Sequence, residues 1–206
     1  MLNRETDYYE EVIKRFIANI REHLPSSWSV IGLHNQMAQC SDLNAMMKQL
    51  EIAFSIKLED TYFPRLKVDA LIATRDPQNR IRLLLIEVKY GNPLKLLDYS
   101  QLIGYLQISK FCLGGALVLV ADEDIETVSL DFLKVIELRQ VSFSWRLTLP
   151  PEQKGFEFQT GIFLCEVGNG THVMDTRANF GISDWPTLVQ LLVSSDRYLT
   201  ASGDKL

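Results

Sequence analysis

Residues 66–89 read LKVDALIATRDPQNRIRLLLIEVK, two apolar runs separated by a short polar segment. The runs, 66–74 and 81–89, have the length and the Val/Ile/Leu content of buried strands. The segment RDPQNR between them holds Asp, Pro and Asn, residues that bend a chain readily. The stretch therefore predicts an antiparallel hairpin. A hairpin symmetric about Gln78 sets Asp69 opposite Glu87, and this register comes from the turn alone. Side chains alternate across a strand, so Glu87 and Lys89 share a face and Asp69 joins them. Leu71 and Ala73, opposite Leu85 and Leu83, continue that face. Val68, Ala70 and Ile72, opposite Val88, Ile86 and Leu84, form the other. Both faces are apolar, which calls for cover on both sides. The exception is a cluster of two carboxylates and a lysine at one end. Charges buried in that way are costly unless they are paired or hold a metal.

Working outward, residues 5–24 predict a helix, because Tyr9, Val12, Ile13, Phe16, Ile17, Ile20 and Leu24 recur at helical spacing and Pro25 ends the run. Residues 28–33 predict a short strand. Residues 42–53 predict a helix capped by Ser41 or Asp42. A helix from about Pro93 to Lys110 follows the hairpin, then a strand at 114–121. Residues 129–139 leave helix and strand open. Strands are expected at 142–149 and 156–167, the second leading into the turn GNGT. A last helix starts near Asp184 with Pro186 in its first turn, and the tail after Arg197 is expected to be loose. The sum is one α/β domain over 1–206: a central mixed sheet flanked by helices, with a core at about 5–121 and a β-rich C-terminal extension at about 122–206.

Composition narrows the function classes. Hydrophobic residues make up 47% and charged residues 23%, an ordinary globular mix. No apolar stretch has the length of a membrane span, and the N-terminal MLNRETDYYEEVIKRF is too charged for a signal peptide. Cys40, Cys112 and Cys165 are scattered and odd in number, which suits a reducing cytoplasm better than a disulfide framework or a zinc cluster. The net charge is −5, which argues against gripping nucleic acid by bulk positive charge and is compatible with holding phosphate through a metal. No P-loop, GxSxG, HExxH or dinucleotide fingerprint is present. His23, His34 and His172 have no metal-ligand spacing and read as structural.

The charged cluster has a chemistry of its own. Two carboxylates, a backbone carbonyl and waters make a hard oxygen site suited to Mg²⁺ or Mn²⁺. Such an ion polarises a phosphate and acidifies water, while a nearby lysine orients that water or offsets transition-state charge.

VDA at 68–70 followed by IEVKYG at 86–91 resembles the PD-(D/E)XK nuclease superfamily, whose pattern is an acid on one strand and acid-x-Lys on the next. Val68 stands where the family usually has proline. QLIGYL at 101–106 is similar to the Gln-x-x-x-Tyr motif of the RecB-like and lambda-exonuclease-like branch, and Gln101 and Tyr105 lie on one helical face. The likeness covers roughly residues 66–121. It implies a restriction-endonuclease-like fold and a nuclease acting on DNA, with Mg²⁺ or Mn²⁺ held by Asp69, Glu87 and the carbonyl of Val88. Lys89 would act on water or phosphate, with Gln101 and Tyr105 facing the site. Some members add a glutamate from the first helix; Glu11 is the first choice here and Glu10 nearly as good, although helical Glu residues are commonly a solvated face. Arg65 and Lys67 share a face with Asp69 by alternation and offer contacts for a phosphate backbone. Lys67 then falls opposite Lys89, an unfavourable pairing without an anion nearby. Two other classes stay open: a catalytically silent nuclease-like domain that binds nucleic acid or another subunit, and an unrelated α/β protein with an accidental motif. A homodimer or larger complex is compatible with either.

Overall fold

A computed structural model describes residues 5–58, 62–121, 125–148, 155–167, 170–174 and 181–202. A single 3-10 turn, Glu5–Tyr8, leads into α1, Tyr9–His23, and β1 follows at Ser29–His34. Asp42 caps α2, Leu43–Phe54, by accepting a hydrogen bond from the Ala45 N–H at 2.8 Å. A two-residue strand, β2 (Lys57–Leu58), comes before the hairpin of β3, Ala70–Arg75, and β4, Arg80–Tyr90. Next are α3 (Leu96–Ile108), β5 (Cys112–Ala121) and α4 (Leu130–Glu137), which resolves the ambiguity at 129–139 in favour of helix. The chain continues through β6 (Ser144–Leu147), β7 (Phe156–Glu166) and β8 (Thr171–Val173) to α5 (Trp185–Ser194) and β9 (Leu199–Ser202). Gly168 and Asn169 of the expected GNGT turn, and Leu149 of the expected strand 142–149, lie outside the described residues.

The turn sets the register. Asp76 Oδ1 accepts from the N–H groups of Gln78 and Arg80, both at 2.9 Å, and Asn79 takes the left-handed conformation, φ 60°. With the turn pinned in this way Leu71 pairs with Leu85 and Ala73 with Leu83, the register symmetric about Gln78. The hairpin sits in a mixed sheet whose main path runs β1-β3-β4-β5-β7-β6. β1, β3 and β4 are antiparallel neighbours, whereas β4–β5 and β5–β7 are parallel. A parallel step needs a crossover, and α3 supplies the one from β4 to β5.

Helices cover both faces. One face carries Leu71, Ala73, Leu83, Leu85 and Leu117 against α2, α3 and α4. The other carries Ala70, Ile72, Leu84, Ile86 and Val88 against α1 and α5. Two expectations need correction. The strand predicted from 66 starts its ladder only at Ala70, and Val68 packs with the α2–α3 cluster and not with Ala70 and Ile72. The chain therefore turns over at Asp69. The tail after Arg197 is also not loose: Leu199 and Thr200 pair with Ile81 and Arg80, and β2 pairs with the same strand. Residues 203–206 of that tail lie outside the described residues.

Candidate functional site

The site forms where β3 and β4 part company. Asp69 lies at a bend one residue before β3, so the expected opposition of Asp69 to Glu87 is not formed in the ladder, which ends at Ala70, and the Asp69 side chain does not follow the strand alternation that sequence reasoning assumed. Its carboxylate turns toward β4 and substitutes for a strand partner, with Oδ2 accepting from the Val88 N–H at 2.9 Å. Oδ1 accepts from the hydroxyl of Tyr9, 2.7 Å away, at the start of α1. The backbone of the bend is held separately. The Asn35 N–H donates to the Asp69 carbonyl at 3.0 Å, and the Asn35 amide donates to the Val68 carbonyl at 3.2 Å.

Glu87 and Lys89 project from β4 on the face shared with Leu83 and Leu85. Glu87 is buried, 2% exposed, and Lys89 Nζ lies 2.7 Å from its Oε1. The lysine side chain keeps 23% of its surface. Between these two residues the backbone alternates. Gly91 donates its N–H to Val120 of β5 at 3.0 Å, so odd-numbered residues of this segment point their peptide groups at β5. Val88 points the other way, toward Asp69, as its N–H bond shows. Its carbonyl lies on the same side as its N–H, because a strand residue presents both groups in one direction.

Among the described residues no group of three or more His, Cys, Asp or Glu side chains converges. The two carboxylates have different partners, Asp69 the Tyr9 hydroxyl and the Val88 N–H, Glu87 the Lys89 ammonium; Mg²⁺ commonly takes only one or two protein carboxylates and keeps several waters. Each carboxylate oxygen has two lone-pair sites, so the bonds to Asp69 leave acceptor capacity on both of its oxygens.

The other candidates fall around this centre unequally. Gln101 and Tyr105 lie on α3, which packs on the face of Glu87 and Lys89, and Gln101 Nε2 donates to the Tyr105 hydroxyl at 2.9 Å. Glu11 lies on the opposite side of the sheet, paired with Arg15 at 2.7 Å. There it lines a cavity of about 510 Å³ with Tyr8, Val12, Val120 and Cys165. Glu10 pairs with Lys14 at 2.7 Å, and that bond holds its carboxyl below the ordinary range. Arg65 and Lys67 are exposed on the extended segment before the bend. The expected opposition of Lys67 to Lys89 is not formed, because the β3–β4 ladder ends at Ala70.

No family model matches the chain, and no curated protein matches it. Among solved structures, the SPO1766 protein of unknown function from Silicibacter pomeroyi aligns over 68% of this chain and 71% of its own at 15% identity. The TM-score is 0.23, and a superposition that loose carries no weight for fold or function.

Sequence reasoning missed Tyr9 and Asn35 as partners of Asp69, and His34 as a partner of Tyr9. Tyr9 falls in the apolar stripe of α1, where its ring is a sufficient reason for its presence. His34 pairs with Ala70 at the end of β1, and its ring packs edge-on to Tyr9 with centroids 6.1 Å apart. Burial pushes the His34 imidazole below its ordinary pKa, opposed by the charge of Glu10.

Proposed function

We propose that this chain is a metal-dependent phosphodiesterase of the PD-(D/E)XK type, a nuclease acting on DNA through Mg²⁺ or Mn²⁺, and that its mixed sheet is of the restriction-endonuclease-like kind. The observation that carries the reading is the 2.9 Å hydrogen bond from Val88 to Asp69. It draws the acid that precedes β3 against the residue lying between the acid and the lysine of β4, the juxtaposition that the family pattern asks for.

A bound divalent ion would polarise a phosphate oxygen and make adjacent water a better nucleophile. Asp69, Glu87 and the Val88 carbonyl would hold the ion. Lys89 would act separately from the ion. Leaving Glu87, its ammonium would meet the charge that builds on phosphorus or steer the attacking water. Gln101 and Tyr105, already bonded to each other, would orient substrate by hydrogen bonding. With a net charge of −5, the chain would depend on the ion and a few cations such as Arg65 and Lys67 to accept phosphate.

One observation favours a second reading, a catalytically silent nuclease-like domain. Glu87 is buried and already neutralised by Lys89, as a purely structural ion pair would be. The two readings separate in a cleavage assay on single-stranded, duplex and branched DNA and on RNA, with Mn²⁺, with Mg²⁺ and with chelator. Metal-dependent cleavage of a DNA form supports the nuclease. Binding without cleavage under every condition supports the silent domain.

A further inference from the structure

We infer that Tyr9 is a positioning residue of the metal site, fixing the plane of the Asp69 carboxylate from the far face of the sheet; this rests on the metal-dependent nuclease reading above. Asp69 is not held by the regular ladder, which begins at Ala70. Its backbone is anchored by Asn35, through the bonds to the Asp69 and Val68 carbonyls. Its side chain is anchored by two other groups, the Val88 N–H on Oδ2 and the Tyr9 hydroxyl on Oδ1. The torsion that turns a carboxylate about its own axis is broad and offers little intrinsic preference. With the Val88 bond alone, the group can pivot about that contact. The second bond, at 2.7 Å on the other oxygen, removes the freedom.

Tyr9 is built to stay where it is. It is 1% exposed, its ring packs against His34, and the next turns of α1 bury Val12, Ile13 and Phe16. The phenol therefore reaches Asp69 from a rigid element on the α1 face, while Glu87 and Lys89 stand on the α3 face. Each Asp69 oxygen accepts one of these bonds and keeps a second lone pair that can meet an ion. Groups that orient a metal-binding side chain in this way typically contribute about 10- to 100-fold in affinity.

The competing explanation is that the hydroxyl only ties α1 to the sheet. Mn²⁺ titration calorimetry and metal-free thermal melts on wild type, Tyr9→Phe, Val12→Ala and Asp69→Asn separate the two. Tyr9→Phe should bind Mn²⁺ about tenfold more weakly or worse while keeping most of its metal-free stability, since the ring and the Asn35 bonds remain. Val12→Ala, a cavity in the same helix, should lower the melting temperature and leave Mn²⁺ affinity unchanged. Wild-type affinity in Tyr9→Phe overturns the inference and leaves the nuclease reading standing. Equal Mn²⁺ affinity in wild type and Asp69→Asn overturns both, because the ion is then not held at Asp69.

Discussion

Lys89 Nζ lies 2.7 Å from Glu87 Oε1, so the lysine occupies the carboxylate that the proposed ion must engage. Two measurable consequences follow for Lys89→Ala. Without metal, the variant leaves a buried carboxylate short of its cation, which costs about 3–5 kcal/mol in unfolding free energy. Mn²⁺ should restore much of that loss, because an ion that binds the folded state stabilises it. A melt with and without Mn²⁺ checks this: the metal-induced rise should be at least as large in Lys89→Ala as in wild type. A smaller rise would mean that the lysine helps to hold the ion.

Asp76 makes the stability of the hairpin pH-dependent. Its side chain is fully buried and receives Arg80 Nε at 2.5 Å and Arg82 Nη1 at 3.1 Å. Burial alone would raise its pKa, but the bonds from the Arg80 backbone, Arg82, the Arg80 side chain and the Gln78 backbone outweigh it and hold the carboxyl below the ordinary range. A group depressed on folding contributes stability that is complete above its unfolded pKa, about 3.9. That contribution is lost as pH falls through the lower folded value. Wild type should therefore lose unfolding free energy as pH drops below about 4, and Asp76→Asn should show a shallower slope there. At neutral pH the same substitution should cost about 3–5 kcal/mol, the penalty for breaking a buried pair. Denaturant melts across the pH range read both effects.

The C-terminal segment closes over that network. Arg82 lies between the rings of Trp28 and Tyr198, at 4.9 and 5.4 Å, and donates to the Ser195 carbonyl. Deleting residues 198–206 removes one ring and exposes the β4 positions that Leu199 and Thr200 cover. The truncated chain should melt at a lower temperature and scatter more light at high concentration, since an uncovered strand edge pairs with other copies. An unchanged melt would mean that the tail contributes nothing to the fold.

Two glycines give opposite expectations. A Cβ on Gly114 would stand 2.2 Å from the Gln159 carbonyl oxygen on the neighbouring strand, whereas one on Gly104 in α3 would meet nothing within 4 Å. Gly114→Ala should force β5 and β7 apart and reduce soluble yield. Gly104→Ala should stabilise by up to about 1 kcal/mol, the helix-interior difference between the two residues. Chemical denaturation of each settles the signs.

Much of this architecture was readable from residues 66–121. The hairpin register followed from Asp76, Pro77 and Asn79, because turn chemistry acts locally. Two-sided cover followed from apolar residues on both faces of β3 and β4. The bend at Asp69 was not readable. Alternation runs through 66–74 without a Gly or Pro to mark a break, and the break is fixed by groups from Asn35, Tyr9 and Val88, remote in sequence or across the hairpin. The pairing of β9 was hidden for the same reason, since Leu199 meets Ile81 more than a hundred residues earlier. Tyr9 could be read as an apolar helix position, but its hydroxyl gains meaning only once α1 is laid across the start of β3. Gln101 and Tyr105 were readable as a pair because helical spacing alone brings them together.

The central claim is that Asp69 and Glu87 hold an ion that works with Lys89 on a phosphodiester. Its most direct test is DNA cleavage in Mn²⁺ by wild type, Asp69→Asn, Lys89→Ala and Gln101→Ala at matched concentration. Wild type should cleave and stop on chelation. Asp69→Asn should be inactive because the ion is lost, Lys89→Ala should lose most of the rate while still binding Mn²⁺, and Gln101→Ala should lose less, since an amide can only position what the ion activates. Equal cleavage by wild type and Lys89→Ala, or full activity in Asp69→Asn, would contradict the account.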